Sequence, residues 1–185
     1  MVGNRVRPHS HYDSGVADAE SVLVEDDGRT IAFTFDDMMR YHGPHSPAGV
    51  AIAFTVMQRA FAVLSPDGPP PRREVAVRTA FRGPGARDGF EAVLRAVTDG
   101  DRYVVDRSLV RPDRGRLVED FVFAVSIGGR TLTLLLRDGI VTAEFIDLAR
   151  AENRSAEQEQ RLDGLKAELA QRVLATPSAD LFDLA

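Results

Sequence analysis

The chain contains no cysteine. Disulfides and thiolate metal sites are therefore excluded, and any metal would have to be held by histidine, carboxylate or backbone oxygen. Lysine is nearly absent as well, with a single residue, Lys166, against 22 arginines. No run of apolar residues reaches the roughly 18 of a membrane span. The opening residues, MVGNRVRPHSHYDSG, lack the apolar core of a secretory signal. These absences lead us to expect a cytoplasmic protein with no membrane partner.

What is present fits one domain. The 185 residues, 44% of them hydrophobic, are enough to bury a core without a stapling metal or disulfide. The net charge of −5 argues against general nucleic-acid binding. That charge is unevenly spread. Eleven arginines against seven acids lie between Arg72 and Arg116, whereas ten acids against five bases follow from Asp138 onward. Two readings of the arginine-rich middle stay open: codon bias, or a face that accepts anions, since guanidinium matches carboxylate and phosphate geometry.

Periodicity and turn chemistry give the elements. Residues 1–20 read as a flexible leader, and SVLVEDDGRTIAFTF reads as two strands about an Asp-Asp-Gly turn. Asp36 or Asp37 is expected to cap a short helix, DDMMRYH, that stops at Gly43. Ser46-Pro47 predicts a helix start, serine as cap and proline first, with an almost wholly apolar helix to about Leu64. REVAVRTAF alternates as a half-buried strand, and RGPGA reads as a loop. Asp88, with Glu91 three residues on, has the pattern of a capping box opening the helix DGFEAVLRAVTDG. RYVVD is a short strand. LVEDFVFAVSI and RTLTLLLR flank Gly128-Gly129 as a hairpin, and IVTAEF reads equally as a strand or a helix start. From about Ile146 the chain is helical and charged. Ser155 and Gln158 box the start of a helix to about Ala175, and SADLFDLA forms a short amphipathic tail. This order predicts an α+β fold, a mixed β-sheet with helices packed on one face and a charged helical C-terminal extension. The main domain is expected over 21–150, with 151–185 packing on it or on a partner subunit.

The candidate chemistry gathers in YHGPHSPAG. His42 and His45 have the spacing to present two imidazoles to one ion, because the intervening glycine lets the loop curl. A third ligand would come from elsewhere, with Asp88, Glu91 and Asp120 as acidic candidates. The competing reading makes His42 a helix end and His45 a solvated loop residue. Tyr41 is a candidate acid or base, or a packing residue. Arg82 and Arg87 flank the glycines of RGPGA before a helix N-terminus and could hold a substrate carboxylate or phosphate. His9 and His11 could add ligands only if the leader folds back. No nucleotide fingerprint, no nucleophile elbow and no P-loop pattern is present.

Three stretches in order, FTFDDMMRYHGPHSPAGVAIAF, TAFRGPGARDGFEAV and AELAQRVLATPSADLFDL, resemble the FmdE/FwdE family, named after a subunit of formylmethanofuran dehydrogenase. The first sits where that family has a short helix, a motif of the form F-H-G-H-x-C-P-G, and an apolar helix. His42 and Gly43 match its His-Gly. His45 matches its second histidine if Pro44 is an insertion; otherwise Ser46 falls on its cysteine. Asp88 matches an aspartate of the second motif, Glu91 replaces a glutamine, and Gly85 stands where a cysteine is expected. The resemblance implies a sheet-and-helix fold similar to the catalytic domain of glyceraldehyde-phosphate dehydrogenase, a homodimer, and a bound transition metal. With His42, His45 and Asp88 as metal ligands and Glu91 or Tyr41 as catalytic groups, the expectation is a metal-dependent hydrolase or lyase. Zinc, nickel, iron or manganese would be the ion, and the small substrate's carboxylate would be steered by Arg82 or Arg87. The alternative is a non-catalytic dimeric binding or accessory protein that has lost the metal site.

Overall fold

A computed structural model describes residues 21–185; the expected leader, with His9 and His11, lies outside the described residues. Strands β1 (Ser21–Asp26) and β2 (Arg29–Thr34) form an antiparallel hairpin. Its turn places Asp27 at φ 50 and Gly28 at φ 76, as a tight hairpin of right-handed strands demands. Helix α1 (Phe35–His42) follows without a break. Its cap is Thr34 rather than Asp36 or Asp37. The Thr34 hydroxyl accepts from the Asp37 amide, and Asp37 closes the box from the third position. α1 stops at Gly43, whose N–H makes the last helical bond to the Met39 carbonyl and whose φ of 88 turns the chain out of the helix.

Helix α2 (Pro47–Leu64) runs through the middle of the molecule. Its 18 residues, at mean hydropathy 1.5, do reach the length and composition of a membrane span, contrary to the reading of the sequence; 72% of them are buried against the rest of the chain. Ser46 takes the cap position, but its hydroxyl makes no capping bond, because its ψ of 56 departs from the extended backbone of a capping residue. Strand β3 (Ala76–Thr79) comes next, and then helix α3 (Pro84–Leu94). RGPGA is a loop only through Arg82 and Gly83. Pro84 opens the helix at the position where a missing N–H costs nothing, with Gly83 as cap. Asp88 and Glu91 are therefore not a capping box, for both lie inside α3. The helix ends at Leu94, where Arg95 turns left-handed at φ 53.

The remaining elements are β4 (Tyr103–Val105), β5 (Val122–Ile127), β6 (Arg130–Leu136), α4 (Ala143–Arg150), α5 (Ala156–Ala175), a single turn α6 (Ser178–Leu181) and β7 (Phe182–Leu184). IVTAEF resolves as a helix start, with the Thr142 hydroxyl accepting from the Phe145 amide. The main sheet has the order β4-β3-β5-β6-β7; β3 and β4 run parallel and the other pairs antiparallel. The fold is α+β, with helices packed against a mixed sheet. Phe123, Val125, Ile127, Leu134 and Leu136 join α2 in one core, while Val122 and Leu135, on the opposite face, are covered by Leu109 and Val110. The tail is more than an amphipathic helix: its last residues pair with β6, and Leu169, Val173, Leu181 and Phe182 belong to the main core. The 151–185 segment thus packs on the same domain.

Three glycines let α2 and α3 approach. A methyl group on Gly49 would sit 2.7 Å from the Ala86 amide nitrogen, one on Gly85 2.4 Å from the Ser46 carbonyl oxygen, and one on Gly89 2.9 Å from Ala53 and Met38. This contact brings the N-terminal ends of α2 and α3 together and sets α1 against α3.

Candidate functional site

Two features arise at this junction. The first is a part-buried contact between an imidazole and a carboxylate. His42 Nδ1 lies 2.8 Å from Asp88 Oδ2, joining the last turn of α1 to the second turn of α3. The His42 side chain is 9% exposed, and its Nε2 is buried with no hydrogen-bond partner among the described residues. The other Asp88 oxygen accepts from Arg87 Nη1 at 3.1 Å. A carboxylate on Nδ1 fixes the imidazole's orientation and leaves Nε2 as the functional nitrogen, the arrangement found behind many metal-bound or basic histidines.

Tyr103 is the member that sequence reasoning missed. Its Oη is also buried without a partner, and burial pushes the phenol up to about 12, with the charges of Arg87 and Asp88 acting on it in opposite directions. Its ring packs 5.9 Å from that of Phe90 on α3. The only signal in the sequence is the alternation of a three-residue strand, which is too short to show which face is inward.

The other expected site residues disperse. His45 is exposed. Tyr41 is 56% exposed. Glu91 is buried and serves the backbone: it accepts from the Val97 amide at 2.6 Å, the Thr98 amide and the Thr98 hydroxyl, closing the turn after α3. Asp120 is held by Arg107 at 2.8 Å and Arg150 at 3.4 Å. His42 and Asp88 are therefore brought together, with Asp88 behind the imidazole rather than beside it as a second ligand. Among the described residues no three His, Asp or Glu side chains converge on one point. The fit to a metal is that of one oriented nitrogen.

The second feature is a cavity of 360 Å³ at the start of α2 and α3, roofed by α4 and α5. Its wall is largely apolar, with Ile52, Phe81, Phe121, Phe145 and Leu169, and its polar lining includes Ser46, Arg82 and Lys166. A larger hollow of 760 Å³, between the start of α1 and the end of α5, has Asp36 as its only ionisable lining residue among the described residues.

The arginines decide between the two readings of the basic middle segment. Four clasp backbone carbonyls. Arg72 donates to the Ala92 carbonyl at 3.0 Å, Arg102 to Val75 and Leu94 at 2.6 and 3.0 Å, Arg107 to Ala80 at 2.6 Å and Arg114 to Leu136 at 3.1 Å. Arg73, Arg78, Arg87, Arg95, Arg111 and Arg116 each pair with an aspartate. Of the eleven between Arg72 and Arg116, Arg82 alone has no partner among the described residues, and it lines the cavity.

Compared with known proteins, the chain matches no family model and no curated sequence.

Proposed function

We propose that the chain is a small-molecule-binding protein whose ligand joins an apolar body to a carboxylate, held in the α2–α3 cavity with the carboxylate on Arg82. The observation that carries this reading is Arg82, exposed and without a partner among the described residues, on the wall of a largely apolar cavity. A cavity of this size falls within the range of small-ligand sites, where an apolar lining and a few polar groups set orientation. The Ser46 hydroxyl, which caps nothing, is a second donor at the same end. Calorimetric titration with straight-chain carboxylates of four to ten carbons tests the proposal. Binding should weaken about tenfold in Arg82→Gln, the loss of one hydrogen bond to a charged group. If no carboxylate binds, the proposal falls.

A second reading, a metal-dependent hydrolase or lyase, is favoured by the orphaned His42 Nε2. His42 would be the protein ligand to zinc, nickel, iron or manganese, and Asp88 the carboxylate that orients it. The ion would supply Lewis acidity. The FmdE/FwdE resemblance and its homodimer belong to this reading. Metal analysis of untagged protein, wild type against His42→Ala, separates the two: stoichiometric metal lost in the variant supports the enzyme.

A further inference from the structure

We infer that the cavity selects ligands with two anionic groups, Arg82 taking one and Lys166 the other. This rests on the proposed binding of carboxylates in that cavity. The argument is a charge account of the wall. Four ionisable side chains line it: Arg82, Asp120, Arg150 and Lys166. Asp120 is ion-paired with Arg107 and Arg150, although its Oδ1 makes no hydrogen bond among the described residues, and Arg150 is paired in turn with Glu119 at 3.1 Å and with Asp120. These neutralise one another. Arg82 remains without a carboxylate. Lys166 has one partner, Asp163 at 2.9 Å, but Asp163 is 61% exposed and lies outside the lining, whereas the lysine side chain is 23% exposed and reaches the cavity. A lysine head group, a compact point charge with three donors, suits the holding of an anion.

The two cations come from different elements, Arg82 from the β3–α3 connection and Lys166 from α5. Around them the wall is apolar, through Ile52, Phe145 and Leu169. An apolar spacer with an acid at each end satisfies both cations and buries the remainder. A ligand with one acid leaves the second cation facing its methylenes, at a desolvation cost. A dicarboxylate is therefore the class the cavity prefers.

The test compares adipate with hexanoate and suberate with octanoate, by calorimetry on the full chain. We expect the diacids to bind about tenfold more tightly than the chain-matched monoacids, as one further hydrogen bond to a charged group provides. In Lys166→Gln that preference should vanish, diacids and chain-matched monoacids binding alike; in Lys166→Arg, which keeps the charge, a preference should persist. In Arg82→Gln both classes should weaken. Equal affinity for mono- and diacids in the wild type overturns this inference and leaves the carboxylate reading standing. So does an undiminished preference in Lys166→Gln. Failure of every acid to bind overturns both. Melting curves of each variant, matched to wild type, exclude misfolding as the cause of a loss.

Discussion

The imidazole of His42 and the carboxylate of Asp88, 46 residues apart in the chain, meet at 2.8 Å and join the end of α1 to α3. Asp88 is 26% exposed, so part of its charge is screened by water. A double-mutant cycle with His42→Ala and Asp88→Ala should return a coupling of about 1 kcal/mol in urea unfolding at pH 7. Strict additivity of the two would mean that the contact contributes nothing.

The close crossing of α2 and α3 depends on glycine. A methyl group at position 85 would lie 2.4 Å from the backbone oxygen of Ser46, a group that cannot swing aside. Gly85→Ala should destabilise by about 1–3 kcal/mol, the usual cost of overpacking. It should also reshape the cavity. Gly164→Ala, where nothing lies within 4 Å, is the matched control and should be neutral or stabilising.

Tyr103 supplies an alkaline signature. Burial raises its phenol to about 12, above the ordinary value near 10. The neutral phenol is the favoured form in the folded state. Its stabilisation is present in full below about pH 10 and is lost as pH rises through about 12. Absorbance titration at 295 nm should therefore resolve one of the three tyrosines near 12, and Tyr103→Phe should remove that component. Because the Tyr103 oxygen has no partner, the same variant should change stability at pH 7 by less than about 1 kcal/mol.

Asp106 supplies the acid counterpart. Its carboxylate accepts from the Ser108 hydroxyl at 2.6 Å, the Ser108 amide at 2.9 Å and the Arg78 guanidinium, and these hold it at about 2, the serine hydroxyl foremost. A depressed carboxylate stabilises the fold above its unfolded value near 4 and ceases to as pH falls through about 2. Asp106→Asn should be less stable than wild type at pH 7. The gap should close in urea melts as pH falls toward 2, and a gap independent of pH would refute the assignment.

Much of the fold was legible in the sequence because it is locally encoded. The Asp27-Gly28 and Gly128-Gly129 turns need positive φ, and both hairpins form there. The Ser155–Gln158 box opens α5 where the pattern places it. Local encoding also explains the failure at α3. Asp88 followed by Glu91 satisfies the capping pattern, but Pro84 starts the helix a turn earlier. Once inside the helix, Asp88 turns to His42 and Glu91 to the Val97 amide. Asp88 found its partner through a tertiary contact that spacing cannot reveal, and Glu91 found its own in the turn that follows the helix.

The sequence by itself determined the absence of thiolate chemistry, the α+β class, both hairpin turns and the central apolar helix, because composition and short-range backbone preference suffice for these. Tertiary structure alone decided the rest. It paired His42 with Asp88, sent His45 to the surface, spent ten of eleven arginines on internal partners and left Arg82 over the cavity. Which charge finds a partner depends on segments brought together by packing, and in this chain that packing rests on glycines at the α2–α3 crossing, whose missing side chains no periodicity records.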